Sequence, residues 1–204
     1  GWEASPGAAH PTTSWAPGTL IRTQASFRAP ATLADGRYRL IAGLYRPADG
    51  TRLATSSGAD HLDLGTVAVR GRDHQMTAPK PTFPTDVTFE NSAHLVGFDT
   101  KPGPVARGGT LALTLHWRAL GATDRPYTVF VHLVDEQGQV RGYGDSEPGG
   151  GTLPTTGWLE GEYLADEHVI NVAGDAPAGA YRIEVGLYDS GTGQRFTTQT
   201  GEDR

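Results

Sequence analysis

Apolar and polar residues alternate along several short runs of the chain. In residues 110–117, Leu111, Leu113, Leu115 and Trp117 alternate with Thr110, Ala112, Thr114 and His116. That period places one set of side chains on each face of a strand and predicts a half-buried sheet strand. Residues 38–45 repeat the pattern, with Tyr38, Leu40, Ala42 and Leu44 on one face and Arg39, Ile41 and Gly43 on the other. Residues 127–134 are apolar on both faces except at Thr128 and His132, which predicts a strand central in its sheet. Further strands are expected over 61–69, with Gly65 as a bulge, near 87–89 and 94–98, and over 161–172 and 181–188. Pro47-Ala48-Asp49-Gly50 and Asp135-Glu136-Gln137-Gly138 read as turns. No stretch carries a helical period with caps, so the expected fold is all-β.

The strongest pattern is a duplication. Pro11-Thr12-Thr13-Ser14-Trp15 returns 143 positions later as Pro154-Thr155-Thr156-Gly157-Trp158. Tyr38-Arg39-Leu40-Ile41-Ala42-Gly43-Leu44-Tyr45 returns at the same offset as Tyr181-Arg182-Ile183-Glu184-Val185-Gly186-Leu187-Tyr188. Gly18, Gly36 and Arg52 meet Gly161, Gly179 and Arg195 without a gap, the mark of an internal repeat.

Short strands with turn residues between them predict two tandem antiparallel β-sandwich units, immunoglobulin-like in the broad sense. The expected division is a partial unit over 1–70, a Pro-rich linker over 71–86 and a second unit over 87–204. On this reading the first unit is N-terminally incomplete, lacking counterparts of 87–143. The second lacks its last strand, the counterpart of 62–67. Half a sandwich exposes its inner face and its strand edges. Three explanations stay open: further polypeptide completes both units, the first unit is permuted and closes on itself, or neighbouring copies supply the missing strands. In the last case the exchanged edge would be Leu62, Leu64, Val67 and Val69.

Composition narrows the partners. The net charge is −6 with both signs interspersed, which offers no basic groove for nucleic acid and no membrane-surface patch. Cysteine is absent, excluding disulfides and thiolate chemistry. The 28 glycines and 14 prolines suit a turn-rich β protein. No apolar run is long enough to span a bilayer, and no leader opens the chain, as expected of a mature or excised exported segment. The expected location is extracellular or cell-surface. The expected partners are the chain itself or neighbouring domains, with glycan as a further ligand and no cofactor.

Trp117-Arg118-Ala119-Leu120, followed by residues 124–138 (Asp-Arg-Pro-Tyr-Thr-Val-Phe-Val-His-Leu-Val-Asp-Glu-Gln-Gly), carries a family likeness. The chain resembles the β-sandwich modules found after the membrane region of polytopic bacterial glycosyltransferases of the dolichol-phosphate-mannose-dependent type, and as repeats in related surface proteins. Asp145-Ser146, Pro154-Thr155, Trp158, Gly161-Glu162, Asp166-Glu167-His168 and Gly186-Leu187-Tyr188-Asp189 belong to the same likeness. It spans 87–196 fully and 11–70 in part, and it implies an accessory, non-catalytic module.

The densest polar cluster is Asp145, Glu147, Glu160, Glu162, Asp166, Glu167 and His168. Paired carboxylates can serve glycoside hydrolysis, and Asp145, Glu162 and Asp166 are the candidate calcium ligands. In the first copy Glu162 and Asp166 are matched by Thr19 and Thr23, whereas Trp and Gly are kept. The acids therefore read as solvated strand ends rather than a metal or catalytic site. Trp158 and Trp15 are either lids over the core or platforms for sugar rings, and their equal spacing to Tyr181 and Tyr38 favours the lid. Tyr143, and with it Trp2, lies in an irregular segment and is a further carbohydrate-contact candidate. His116, His132 and His168 lack metal-ligand spacing. Ser92, Ser146 and Ser190 lack a nucleophile elbow, and Gly149-Gly150-Gly151 lacks a helix to make a phosphate cradle. The expected function is a non-enzymatic structural or adhesive module, self-associating by strand complementation. The alternatives are an accessory glycan-handling domain of a membrane glycosyltransferase and a free carbohydrate-binding module.

Overall fold

The computed structural model describes residues 12–24 and 29–198. They form strands and short 3-10 turns, and none of them lies in a helix long and apolar enough to cross a membrane. The strands are β1 (Gly36–Ala42), β2 (Leu62–Val69), β3 (Phe83–Phe89), β4 (Ala93–Thr100), β5 (Thr110–Ala119), β6 (Thr128–Val134), β7 (Val140–Tyr143), β8 (Tyr163–Val172) and β9 (Arg182–Tyr188). β1 and β2 make a sheet of their own. The other seven make one antiparallel sheet in the order β3-β4-β5-β8-β7-β6-β9.

That larger sheet curls on itself. Leu113, Leu115 and Trp117 of β5 share one core with Val129, Val131 and Leu133 of β6, although β8 and β7 lie between them in the sheet. The corner is β7, which meets β8 only at Gly142↔Val172 and Tyr143↔Asn171. β6 is held on both edges, by β7 and by β9, as its two-faced apolar sequence predicts. Beyond β9 the chain turns back, and Phe196 N–H donates to Leu187 O at 2.8 Å. Thr198 then bridges to Phe89 of β3, and Glu90 N–H donates to Thr197 O at 3.0 Å. These last described residues join the two ends of the sheet and leave it nearly closed. Phe196 is buried against the Tyr127 ring, with centroids 4.3 Å apart.

The stretch expected as a linker takes part in this sheet. β3 begins at Phe83, whose ring stacks on Phe98 at 5.0 Å. Pro84 is tolerated because β3 is the first strand of the sheet and its register shifts between Pro84 and Val87. Further upstream, Tyr163 N–H donates to Gln75 O at 2.8 Å, so the connector is laid along the sheet by hydrogen bonds. Prolines hid this strand from a periodicity reading.

The duplication is reproduced bond for bond. Tyr38 Oη donates to Ala34 O at 2.8 Å and its twin Tyr181 Oη to Pro177 O at 2.6 Å. Leu53 N–H to Leu44 O matches Phe196 N–H to Leu187 O, and the bridge Tyr45↔Arg52 matches Tyr188↔Arg195. Gly18 and Gly161 share the left-handed conformation at φ 82° and 81°.

What differs is the company each copy keeps. β9 pairs with β6 from Thr128↔Tyr188 to Val134↔Arg182, and Ile183, Val185 and Leu187 meet the core. β1 pairs with β2, with an irregularity where Gly65 and Asp63 oppose Leu40 and Ile41, the expected bulge. No described residue between 12 and 70 is buried. Leu62, Leu64 and Val67 are 60%, 53% and 47% exposed. Residues 20–24, twins of the start of β8, have no regular structure and pair with no strand among the described residues.

Two glycines of the second copy also test the packing. A Cβ on Gly186 would run into the buried Phe130 ring across the strand pair, whereas one on Gly179 meets nothing within 4 Å. Gly186→Ala is expected to cost roughly 1–3 kcal/mol by overpacking. Gly179→Ala should stay within about 0.5 kcal/mol, both read by urea unfolding.

Candidate functional site

β8 alternates strictly, with Leu164, Asp166, His168, Ile170 and Val172 buried and Ala165, Glu167, Val169 and Asn171 exposed. Asp166 and His168 therefore lie on the core face, which overturns their reading as solvated strand ends. The same alternation in the sequence carried the signal, masked by the charge of the residues. Burial of such groups requires partners. Asp166 Oδ2 accepts from Trp117 Nε1 at 3.2 Å and from His168 Nε2 at 2.8 Å, and its Oδ1 accepts from Gly149 N–H at 2.8 Å. The pair thus fastens β8 to β5 and to the loop after β7.

The proton count at His168 decides its chemistry. Nδ1 sits 2.6 Å from Gly144 O, which can only accept, while Nε2 faces the Asp166 carboxylate. Nδ1 therefore donates to Gly144 O, and the Asp166 carboxylate favours a proton on Nε2 as well. Burial pushes the ring's pKa down, but the hydrogen bond and charge of Asp166, with Gly144 O, overcome this and raise it above the ordinary histidine value. Ser146 Oγ lies 3.4 Å from Nδ1. With no lone pair on Nδ1 to take its proton, Ser146, His168 and Asp166 do not make a nucleophile and base.

Glu162 is also fully buried, contrary to the sequence reading. Arg72 grips both carboxylate oxygens, with Nη2 at 2.8 Å from Oε2, and His74 Nδ1 lies 3.0 Å from Oε1. Leu159 N–H donates to Oε2 at 3.0 Å. Burial pushes this carboxyl up, yet these donors hold its pKa below the ordinary range. Glu162 is the anchor for the connector, and its twin in the first copy is an uncharged Thr19. Arg72 and His74 went unrecognised because they lie in a stretch without periodicity.

Asp145 is held by His132 Nε2 at 3.2 Å and by Val131 N–H at 3.2 Å. The three calcium candidates are therefore each engaged by a histidine or arginine of their own, and no cluster of three or more such ligands forms among the described residues. His116 pairs with Asp99 at 2.7 Å, whose pKa is lowered to about 2 by Thr82 and by His116.

Of the aromatic candidates, Trp158 is 1% exposed and its Nε1 donates to Leu153 O at 2.8 Å. It is a lid of the core, with no ring face open to a sugar. Trp15 is half-buried in the matching turn of the first copy. Trp2 lies outside the described residues. Tyr143 is 57% exposed at the end of β7.

There the strands part. β7 leaves β8 after Tyr143, and the chain follows β6 instead, with Gly144 N–H donating to Val131 O and Ser146 N–H to Val129 O. A cleft of about 390 Å³ opens between, walled by Tyr143, Asp145 and Ser146 on one side and Glu167, Val169 and Asn171 on the other, with His168 at its base. No protein-family model, curated protein or solved structure matches the chain. The polar groups that remain free to meet a ligand here are those of the two walls, because Asp166 and His168 spend their hydrogen bonds on the fold.

Because its folded pKa is raised, His168 contributes stability that is complete below about pH 6.5 and lost as pH rises through the folded value. Urea unfolding at a series of pH values should show this decline. His168→Gln should flatten it and cost about 3–5 kcal/mol by leaving Asp166 without its cation.

Proposed function

We propose that the chain is a non-catalytic structural module of an extracytoplasmic assembly. It is built as tandem immunoglobulin-like units, of which the N-terminal one is completed by a strand and layer from a neighbouring copy. The observation that carries this reading is the contrast between twins. Tyr181, Ile183 and Val185 are covered by a core, whereas Tyr38, Leu40 and Ala42, the same positions in β1, face none. Cross-strand neighbours Val67 and Leu62 extend that apolar face on β2. Its opposite face carries Arg39, paired to Asp63 at 3.0 Å, beside the exposed Ile41. An apolar face of this kind with an open strand edge recruits a further β-layer. The likeness to accessory modules of membrane glycosyltransferases supports the extracytoplasmic location.

Sedimentation over a concentration series tests the reading. Wild-type protein should associate as concentration rises, and a peptide of residues 126–136, the sequence of β6, should bind it and suppress association. Leu40→Lys should abolish association while the seven-stranded sheet melts unchanged. Wild-type protein that stays monomeric throughout and ignores the peptide would overturn it.

A further inference from the structure

We infer that the cleft where β7 and β8 part is a binding site for a hexose ring of an uncharged glycan. Tyr143 supplies the platform. Its ring stands edge-on to His132 at 5.3 Å with an interplanar angle of 76°, and His132 is pinned in turn by Asp145. An exposed aromatic fixed in this way presents its ring at little entropic cost, and sugar rings stack their C–H faces on such surfaces. Asn171 is the direct cross-strand partner of Tyr143, and Val169, 56% exposed, adds apolar surface two residues along the same wall.

The polar groups fit hydroxyls. Asp145 and Glu167 offer carboxylate oxygens from opposite walls, and Asn171 offers an amide that both donates and accepts. A sugar hydroxyl also does both, so a polyol satisfies this set without carrying charge. Two carboxylates disfavour an acidic sugar or a phosphate. The volume falls within the roughly 300–1,000 Å³ of small-molecule sites. The buried Asp166–His168 pair below keeps the walls in place. None of these residues belongs to the β1–β2 sheet, so the site is independent of the assembly proposed above.

Native gels cast with mannan, dextran, a β-glucan or alginate test this on the whole chain. At least one neutral polymer should retard the wild-type protein. Tyr143→Ala should weaken that retardation at least tenfold, Asn171→Ala less, and Tyr143→Phe hardly at all. Leu40→Lys, in the separate β1–β2 sheet, should be retarded like wild type, and melting curves should show Tyr143→Ala folded. Retardation by no neutral polymer, retardation by alginate alone, or equal retardation of Tyr143→Ala would each overturn the assignment.

Discussion

The pairing of β5 with β8, from Thr110↔Asn171 to Arg118↔Tyr163, decides which of two related segments becomes ordered sheet. Residues 163–167 begin β8 because β5 offers hydrogen bonds along their whole length and buries Leu164 and Asp166 beneath Trp117. Their twins, 20–24, meet no such strand and form none. Strand propensity is weak beside the pairing and burial that a neighbour supplies. The same holds for the second twin pair, since β9 lies against β6 and the core while β1 has only β2.

Once β5 and β8 are joined, the remaining seams are fastened by buried charge rather than by added apolar surface. Asp166 and His168 tie the sheet to the loop after β7. Glu162 and Arg72 tie it to the connector. Asp135 is 4% exposed, accepts from Gln137 and Gln139 N–H, and receives Arg141 at 2.8 Å, which fixes the β6–β7 turn. On the outer face the Arg195 guanidinium lies 4.4 Å from the centroid of Phe130, the ring that crosses Gly186. Each of the buried carboxylates Asp166, Glu162 and Asp135 would be costly if its partner were removed, so they specify one arrangement of loops around one core.

The alternation of apolar residues made most strands legible, and Trp117, Leu113 and Leu115 lie where it put them. The duplication was legible to the level of single backbone hydrogen bonds. Glu162 and Asp166 were misread because a charged residue on an inward position looks solvated until its partner is known. Arg72 lies 90 positions from Glu162, and nothing local joins them. Closure by Thr198 was hidden in a polar segment without strand character. Of the carbohydrate candidates, equal spacing in both copies favoured Trp158 as a lid, and the structure buries it, whereas Tyr143 lies exposed where β7 and β8 part.

Two copies of one pattern, alike in backbone and unlike in cover, make a direct comparison inside a single molecule. Hydrogen exchange of residues 36–42 against residues 182–188, in dilute and in concentrated protein, measures it. The account predicts slow exchange at 182–188 under both conditions, and exchange at 36–42 that is fast when dilute and slows as copies meet. Residues 36–42 as protected as 182–188 in dilute monomer would contradict it.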